Sequence, residues 1–150
     1  MTDYPVVHAL GRIDVVTRDD TPALSREVPG DLASVQAAWP VFEGSLDSLH
    51  GRTMMGLVYA DVYRLCSVRL DRDDDNPLAL DETVIPGGTY LRLRLRGSAP
   101  EVYGQIGPAF DELFARADHD ATRPHIEHYR REGEVDCLVP IRSSVAGADD

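Results

Sequence analysis

The stretch PHIEHYRREGEVDCLVPI, Pro124 to Ile141, carries two carboxylates, Glu127 and Asp136, in strand-like runs that flank a tight polar turn. Residues i and i+2 of a strand share a face, so His125, Glu127 and Tyr129 fall on one side of the first run. In the second, Val135, Cys137, Val139 and Ile141 form the more apolar side, which is assigned to the helices, and Asp136 and Leu138 are then expected to face a cleft on the other side. A carboxylate in a low-dielectric cleft attracts a cation more strongly than it does in water. Tyrosine rings nearby add cation–π attraction and bury apolar ligand surface. The expected lining is Glu127, Tyr129, Tyr59, Tyr63, Asp136 and Leu138, with Leu57 and Leu65 making one half greasy where Glu127 and Asp136 make the other acidic. The competing expectation is structural: Glu127 pairs with an arginine of a neighbouring strand. If the cleft is catalytic, Glu127 is the general acid or base, its pKa raised by burial, and Tyr129 orients water or steadies developing charge.

The elements that must position these groups follow from periodicity. Ile13 to Thr17 reads as a strand, and Asp19, Asp20, Pro22, Pro29 and Gly30 mark a loop. Leu32, Val35, Trp39, Phe42, Leu46 and Leu49 recur at spacings of three and four, an amphipathic helix capped by Asp31 and interrupted by Pro40, with Trp39 read as core. Thr53 to Ala60 and Tyr63 to Leu70 read as strands. TYLRLRLRG alternates strictly, with Leu91, Leu93 and Leu95 on one face and Arg92, Arg94 and Arg96 on the other. Ser98 and Glu101 read as a capping box opening a second helix that ends near Arg116. The order strand, helix, strand, strand thus occurs twice. The helices align at an offset of 68 and the last strands at an offset of 71, which sets Leu65 over Asp136. The fold class expected is α+β, a tandem βαββ repeat with pseudo-twofold symmetry, antiparallel sheets, two helices on one side and a ligand cleft.

Composition narrows the function. The formal charge of −11 disfavours direct nucleic-acid binding and favours cationic partners. All 15 basic residues are arginine. No apolar run is long enough to span a membrane and no signal peptide is recognisable, so a cytoplasmic location is expected. Cys66 and Cys137 read as buried thiols. Asp71, Asp73, Asp75 and Glu82 have the spacing of a calcium loop, but Asn76 stands where glycine is required, so this stretch reads as a solvated acidic linker. His125 and His128 point to opposite faces, and neither a metal nor another cofactor is expected. The Arg92/Arg94/Arg96 stripe reads as a solvated or salt-bridged face, with an anion site as the alternative.

The stretch IPGGTYLRLRLRGSAPEVYGQIGPAFDELFAR, Ile85 to Arg116, resembles the GyrI-like small-molecule-binding family in its I-P-x-G-x-Y start, short strand and G-x-x-x-E-V helix entry. The closing PHIEHYRREGEVDCLVPI resembles that family's final hairpin. The resemblance covers roughly residues 10 to 142. It implies a SOUL-like fold over residues 1–142, a frayed polar tail at 143–150, and a concave cleft for apolar, often cationic, organic molecules. The family's glutamate at the cleft base is matched by Glu127, and its acidic position on the last strand by Asp136. Such domains often follow a helix-turn-helix in multidrug-responsive transcription regulators; this chain is expected to be a stand-alone member. Some stand-alone members are implicated in hydrolysing cyclopropanoid toxins or in modulating DNA gyrase. These imply a hydrolase, and an interaction module, as the alternatives to a binding protein.

Overall fold

The structure, a computed structural model, describes residues 6–8 and 10–142. The tail expected at 143–150 lies outside the described residues. The strands are β1 (Val6–His8), β2 (Gly11–Arg18), β3 (Thr21–Pro29), β4 (Met54–Val58), β5 (Val62–Val68), β6 (Asp81–Ile85), β7 (Gly88–Arg96), β8 (His125–Arg131) and β9 (Glu134–Pro140). The helices are α1 (Leu32–Ser45) and α2 (Ile106–Arg116). The strands form one antiparallel sheet in the order β1-β2-β7-β9-β8-β4-β5-β3-β6. The expected strand-helix-strand-strand order occurs twice, as β3-α1-β4-β5 and β7-α2-β8-β9, and the halves join where β4 pairs with β8. The two sheets expected from the repeat are therefore one continuous sheet.

Each helix covers its own half. Phe42 and Leu46 pack on Leu24, Tyr63 and Leu65, while Phe110, Ala109 and Leu113 pack on Leu93, Val135, Cys137 and Val139. Both helices lie on the same side. Asp31 caps α1 as expected, its Oδ2 accepting from Ser34 N at 3.0 Å. Pro40 lies inside α1, but Leu32 and Leu49 of the expected stripe are exposed. The Ser98–Glu101 capping box does not form. A 3₁₀ segment, Glu101–Gln105, leads into α2, and its entry has no side-chain cap.

Residues 21–29, read from the sequence as loop, form β3. Pro22 and Pro29 punctuate its ends, where the ladder tolerates them. Only Asp19 and Asp20 connect β2 to β3, and only Pro86 and Gly87 connect β6 to β7. A two-residue link spans at most about 11 Å. Yet the strands in each pair stand six places apart in the sheet, roughly 29 Å if it were flat. The sheet must therefore curl, and it curls away from the helices. That closes a second core, Met55, Leu57, Cys66, Ile85, Tyr90, Ile126 and Leu138, on the face without helices. The links touch: Gly87 N donates to Asp20 Oδ1 at 2.6 Å, and a Cβ at residue 87 would meet the Arg18 carbonyl oxygen at 2.6 Å.

The acidic stretch Asp71–Asp75 is solvated at Asp71, Asp74 and Asp75, as expected, but not at Asp73. It opens with a 3₁₀ turn, Asp71–Asp73, that buries Asp73. Both oxygens of Asp73 accept from the buried Arg52 guanidinium, at 2.8 and 2.9 Å, and Arg52 also donates to Asp47 and Ser67. Asp73→Asn is expected to destabilise the fold by about 2 kcal/mol in urea titration. This falls below the usual cost of breaking a buried pair because Asp47 still neutralises Arg52; a loss within error would mean that Asp47 alone suffices.

Candidate functional site

The central strands β4 and β8 run between the two helices. On the helix side of the sheet the register sets Leu65, Gly56, Glu127 and Cys137 side by side across β5, β4, β8 and β9. Leu65 and Cys137 are sealed beneath α1 and α2, whereas Met54, Val58, His125, Glu127 and Tyr129 are only half-buried. The helix-side face of β4 and β8 is therefore less covered than that of β5 and β9, and Glu127 lies in this less covered strip.

Glu127 is held by tyrosines, not by arginine. The hydroxyls of Tyr63 on β5 and Tyr129 on β8 both donate to Oε1, each at 2.7 Å. Oε2 accepts from no described residue and is not sealed from solvent. Burial pushes the Glu127 pKa up, against the two hydroxyl hydrogen bonds that pull it down. Burial also raises the pKa of both tyrosines, and the adjacent carboxylate raises them further, so the phenols stay protonated donors.

Rings enclose this carboxylate. Trp39 of α1 stands edge-on to Tyr129 at 5.4 Å and to Tyr63 at 6.2 Å between centroids, and Tyr103, ahead of α2, reaches Tyr129 at 6.2 Å. Further along, Phe110 of α2 meets His125 at 4.5 Å. Burial lowers the His125 pKa to about 4, so its imidazole is neutral at physiological pH.

Tyr63 must cross β4 to reach Glu127, and Gly56 is the gap it crosses. A Cβ at residue 56 would stand 1.8 Å from the Tyr63 hydroxyl and 3.1 Å from Glu127 Oε1. Gly56→Ala is therefore expected to displace Tyr63, break its bond to Glu127 and cost about 2 kcal/mol in urea denaturation. Tyr63→Phe, which loses the bond without the clash, should cost about half of that. Equal stability of Gly56→Ala and wild type would show that the gap has no role.

The structure brings together three of the eight residues expected to line the cleft: Glu127, Tyr129 and Tyr63. Leu65 lies beside them, but fully buried. Asp136, Leu138, Leu57 and Tyr59 belong to the opposite face, where Leu57 and Leu138 fill the second core and Tyr59 is exposed. There Arg94 grips Asp136 through Nε at 2.7 Å and Nη2 at 3.1 Å. The expected common face fails by one residue. Gly56 pairs with Leu65 nine residues on, but Glu127 pairs with Cys137 ten residues on, because β8 carries an irregularity between Tyr129 and Arg131. Leu65 thus corresponds to Cys137, not Asp136, and in a strand a slip of one reverses the face. Glu127, Tyr63 and Tyr129 lie on the helix side of the sheet, not on the side opposite the helices where the cleft was expected. Sequence reasoning missed Gly56 and Tyr103 and left Trp39 in the core.

No protein-family model matches the sequence, and no curated protein matches it. Solved structures do. An integron cassette protein from the mobile metagenome of Vibrio cholerae superposes with a TM-score of 0.68 at 16% identity, over 87% of this chain and 95% of that one. SAV2435, solved bound to tetraphenylphosphonium, gives 0.64 at 10% identity over 91% and 98%. A putative transcription regulation protein from Staphylococcus aureus gives 0.59 at 8% identity over 89% and 99%. The chain shares their fold, the GyrI-like α+β fold. No helix among the described residues is long and apolar enough to cross a membrane.

Proposed function

We propose that this protein binds a lipophilic organic cation in a groove between α1 and α2, with Glu127 as its counter-charge. One observation carries the reading: a half-buried carboxylate without a basic partner among the described residues, beside Trp39, Tyr63, Tyr103 and Tyr129, with Oε2 not sealed from solvent. Other buried acids of the chain, Asp73 and Asp136, are each gripped by arginine. A cation that cannot donate hydrogen bonds suits rings and one carboxylate better than a hydrated ammonium would. The neighbour solved with tetraphenylphosphonium, and the net charge of −11, support the same chemistry. Trp39 is the single tryptophan and stands in the groove wall, so its fluorescence reports binding directly. Saturable quenching by tetraphenylphosphonium is expected; an unchanged spectrum across a panel of lipophilic cations overturns the proposal.

A second reading rests on the raised pKa of Glu127, which suits a general acid or base. In hydrolysis of an electrophilic cyclopropane, Glu127 would take a proton from water as the water oxygen bonds to a ring carbon and a ring C–C bond breaks. Tyr129, turning its hydroxyl from Glu127, would donate a hydrogen bond to the charge developing on the leaving carbon's substituent, and Glu127 would then return its proton to that carbon. Turnover of such a compound by wild type, abolished in Glu127→Gln while binding persists, would establish this reading.

A further inference from the structure

The arginine stripe lies on the face of the sheet opposite Glu127. Arg12 of β2 stands directly opposite Arg94 of β7, and Arg96 follows two residues along the same face. Like charges directly opposed across a ladder are destabilising unless something neutralises them. These three arginines, with Leu10 and Gly11, line a cavity of about 330 Å³ at one end of the β2–β7 pair, and no carboxylate among the described residues is part of its wall. Gly11 allows the close approach there, since a Cβ would meet the Arg94 carbonyl oxygen at 2.1 Å.

Each guanidinium is oriented by a carboxylate outside the cavity. The shortest contact is through Nε in all three: Arg94 to Asp136 at 2.7 Å, Arg96 to Glu134 at 3.4 Å and Arg12 to Asp14 at 3.8 Å. Arg94 Nη2 also bonds Asp136. Arg94 Nη1 and the η nitrogens of Arg12 and Arg96 make no hydrogen bond to a described residue. Planar guanidinium forks with free Nη groups match the oxygens of phosphate and carboxylate.

We infer that this cavity binds a small oxyanion with two or more negative charges, a phosphorylated or polycarboxylate metabolite. The cavity size and the overall charge of −11 both favour a small anion over a nucleic acid, whose length would extend beyond the local positive patch into the protein's negative field.

Titration of the full chain with pyrophosphate and, separately, with citrate by isothermal calorimetry at low salt tests this. Saturable one-to-one binding of at least one is expected. Whichever binds tighter distinguishes phosphate from carboxylate chemistry. The double variant Arg12→Gln/Arg96→Gln should weaken it at least tenfold. Both side chains are largely exposed, 61% and 66%, so the variant is expected to fold. Glu127→Gln should leave it unchanged, which separates this site from the groove. Absence of saturable binding to either anion, or equal affinity in the double variant, overturns the inference.

Discussion

Glu127→Gln is expected to weaken tetraphenylphosphonium binding by about 30- to 100-fold, measured by calorimetry or by Trp39 fluorescence at pH 8. The substitution keeps shape and keeps an oxygen that can accept from both Tyr63 and Tyr129, so it removes charge and little else. A unit charge about 5 Å from a carboxylate, at an effective dielectric of 20, gains roughly 3 kcal/mol. Part of that is offset by desolvating the carboxylate, leaving about 2–3 kcal/mol. Trp39→Leu should cost less, about 1 kcal/mol of cation–π attraction beyond its lost contact area. Asp136→Asn is expected to leave the affinity unchanged, because Asp136 lies across the sheet and its charge is already taken by Arg94. That variant separates the site proposed between the helices from the cleft expected from sequence, in which both acids line one wall. A loss below threefold in Glu127→Gln would remove the carboxylate from ligand recognition.

How far the sequence reveals the site depends on what kind of information each part needs. The α+β class, both helices and the twofold order were legible because each rests on local periodicity: Val35, Trp39 and Phe42 at helical spacing, Leu91 to Arg96 in strict alternation. Glu127, Tyr63 and Tyr129 were legible as chemistry, since acid and phenol types have few reasons to enter strands. Their relation to Asp136 was not, because it turns on a single extra residue in the second hairpin, and no composition signal marks it. β3 was hidden for a different reason. Its prolines and charges resemble a loop, yet its central residues Ala23, Leu24 and Ser25 are buried by β5 and β6 on either side. Gly56 carried no signal beyond its lack of a side chain; its role appears only when Tyr63 is seen crossing β4.

The two acids of the final hairpin show how one strand pair serves two chemistries. Glu127 and Asp136 are nine residues apart and on opposite faces. Asp136 is almost fully buried, yet Arg94 bonds it twice, and Arg130 and Arg92 lie at 3.6 and 4.0 Å. A carboxylate so surrounded has its partners already in place. Glu127 is less deeply buried but is offered only neutral donors, so the desolvation cost of ionising it is offset in part by two hydroxyls and by no described cation. The fold therefore keeps one anion satisfied and leaves the other in want of a cation.

The affinity for a permanent cation should accordingly depend on pH with a definite sign. The Glu127 pKa lies above its ordinary value near 4.3, so the free protein holds a proton there at pH values where a surface glutamate would not. A cation binds the ionised form, so binding expels that proton. Affinity is expected to rise about tenfold per pH unit on the acid side of the raised pKa and to level off above it. Stability runs the opposite way. The contribution from the neutral carboxyl is complete below the unfolded-state value and is lost as pH rises through the folded one, so the ligand-free protein loses stability across that interval. Bound cation restores it. Other titratable groups around the groove do not interfere above about pH 5: His125 stays neutral with its pKa near 4, and burial holds Tyr63, Tyr129 and the adjacent Cys137 protonated. Calorimetry in buffers of different ionisation enthalpy should count up to one proton released per cation on the acid side and none in Glu127→Gln, whose affinity should be flat across the range. An identical pH profile in wild type and Glu127→Gln would mean that Glu127 does not change its charge when the ligand binds.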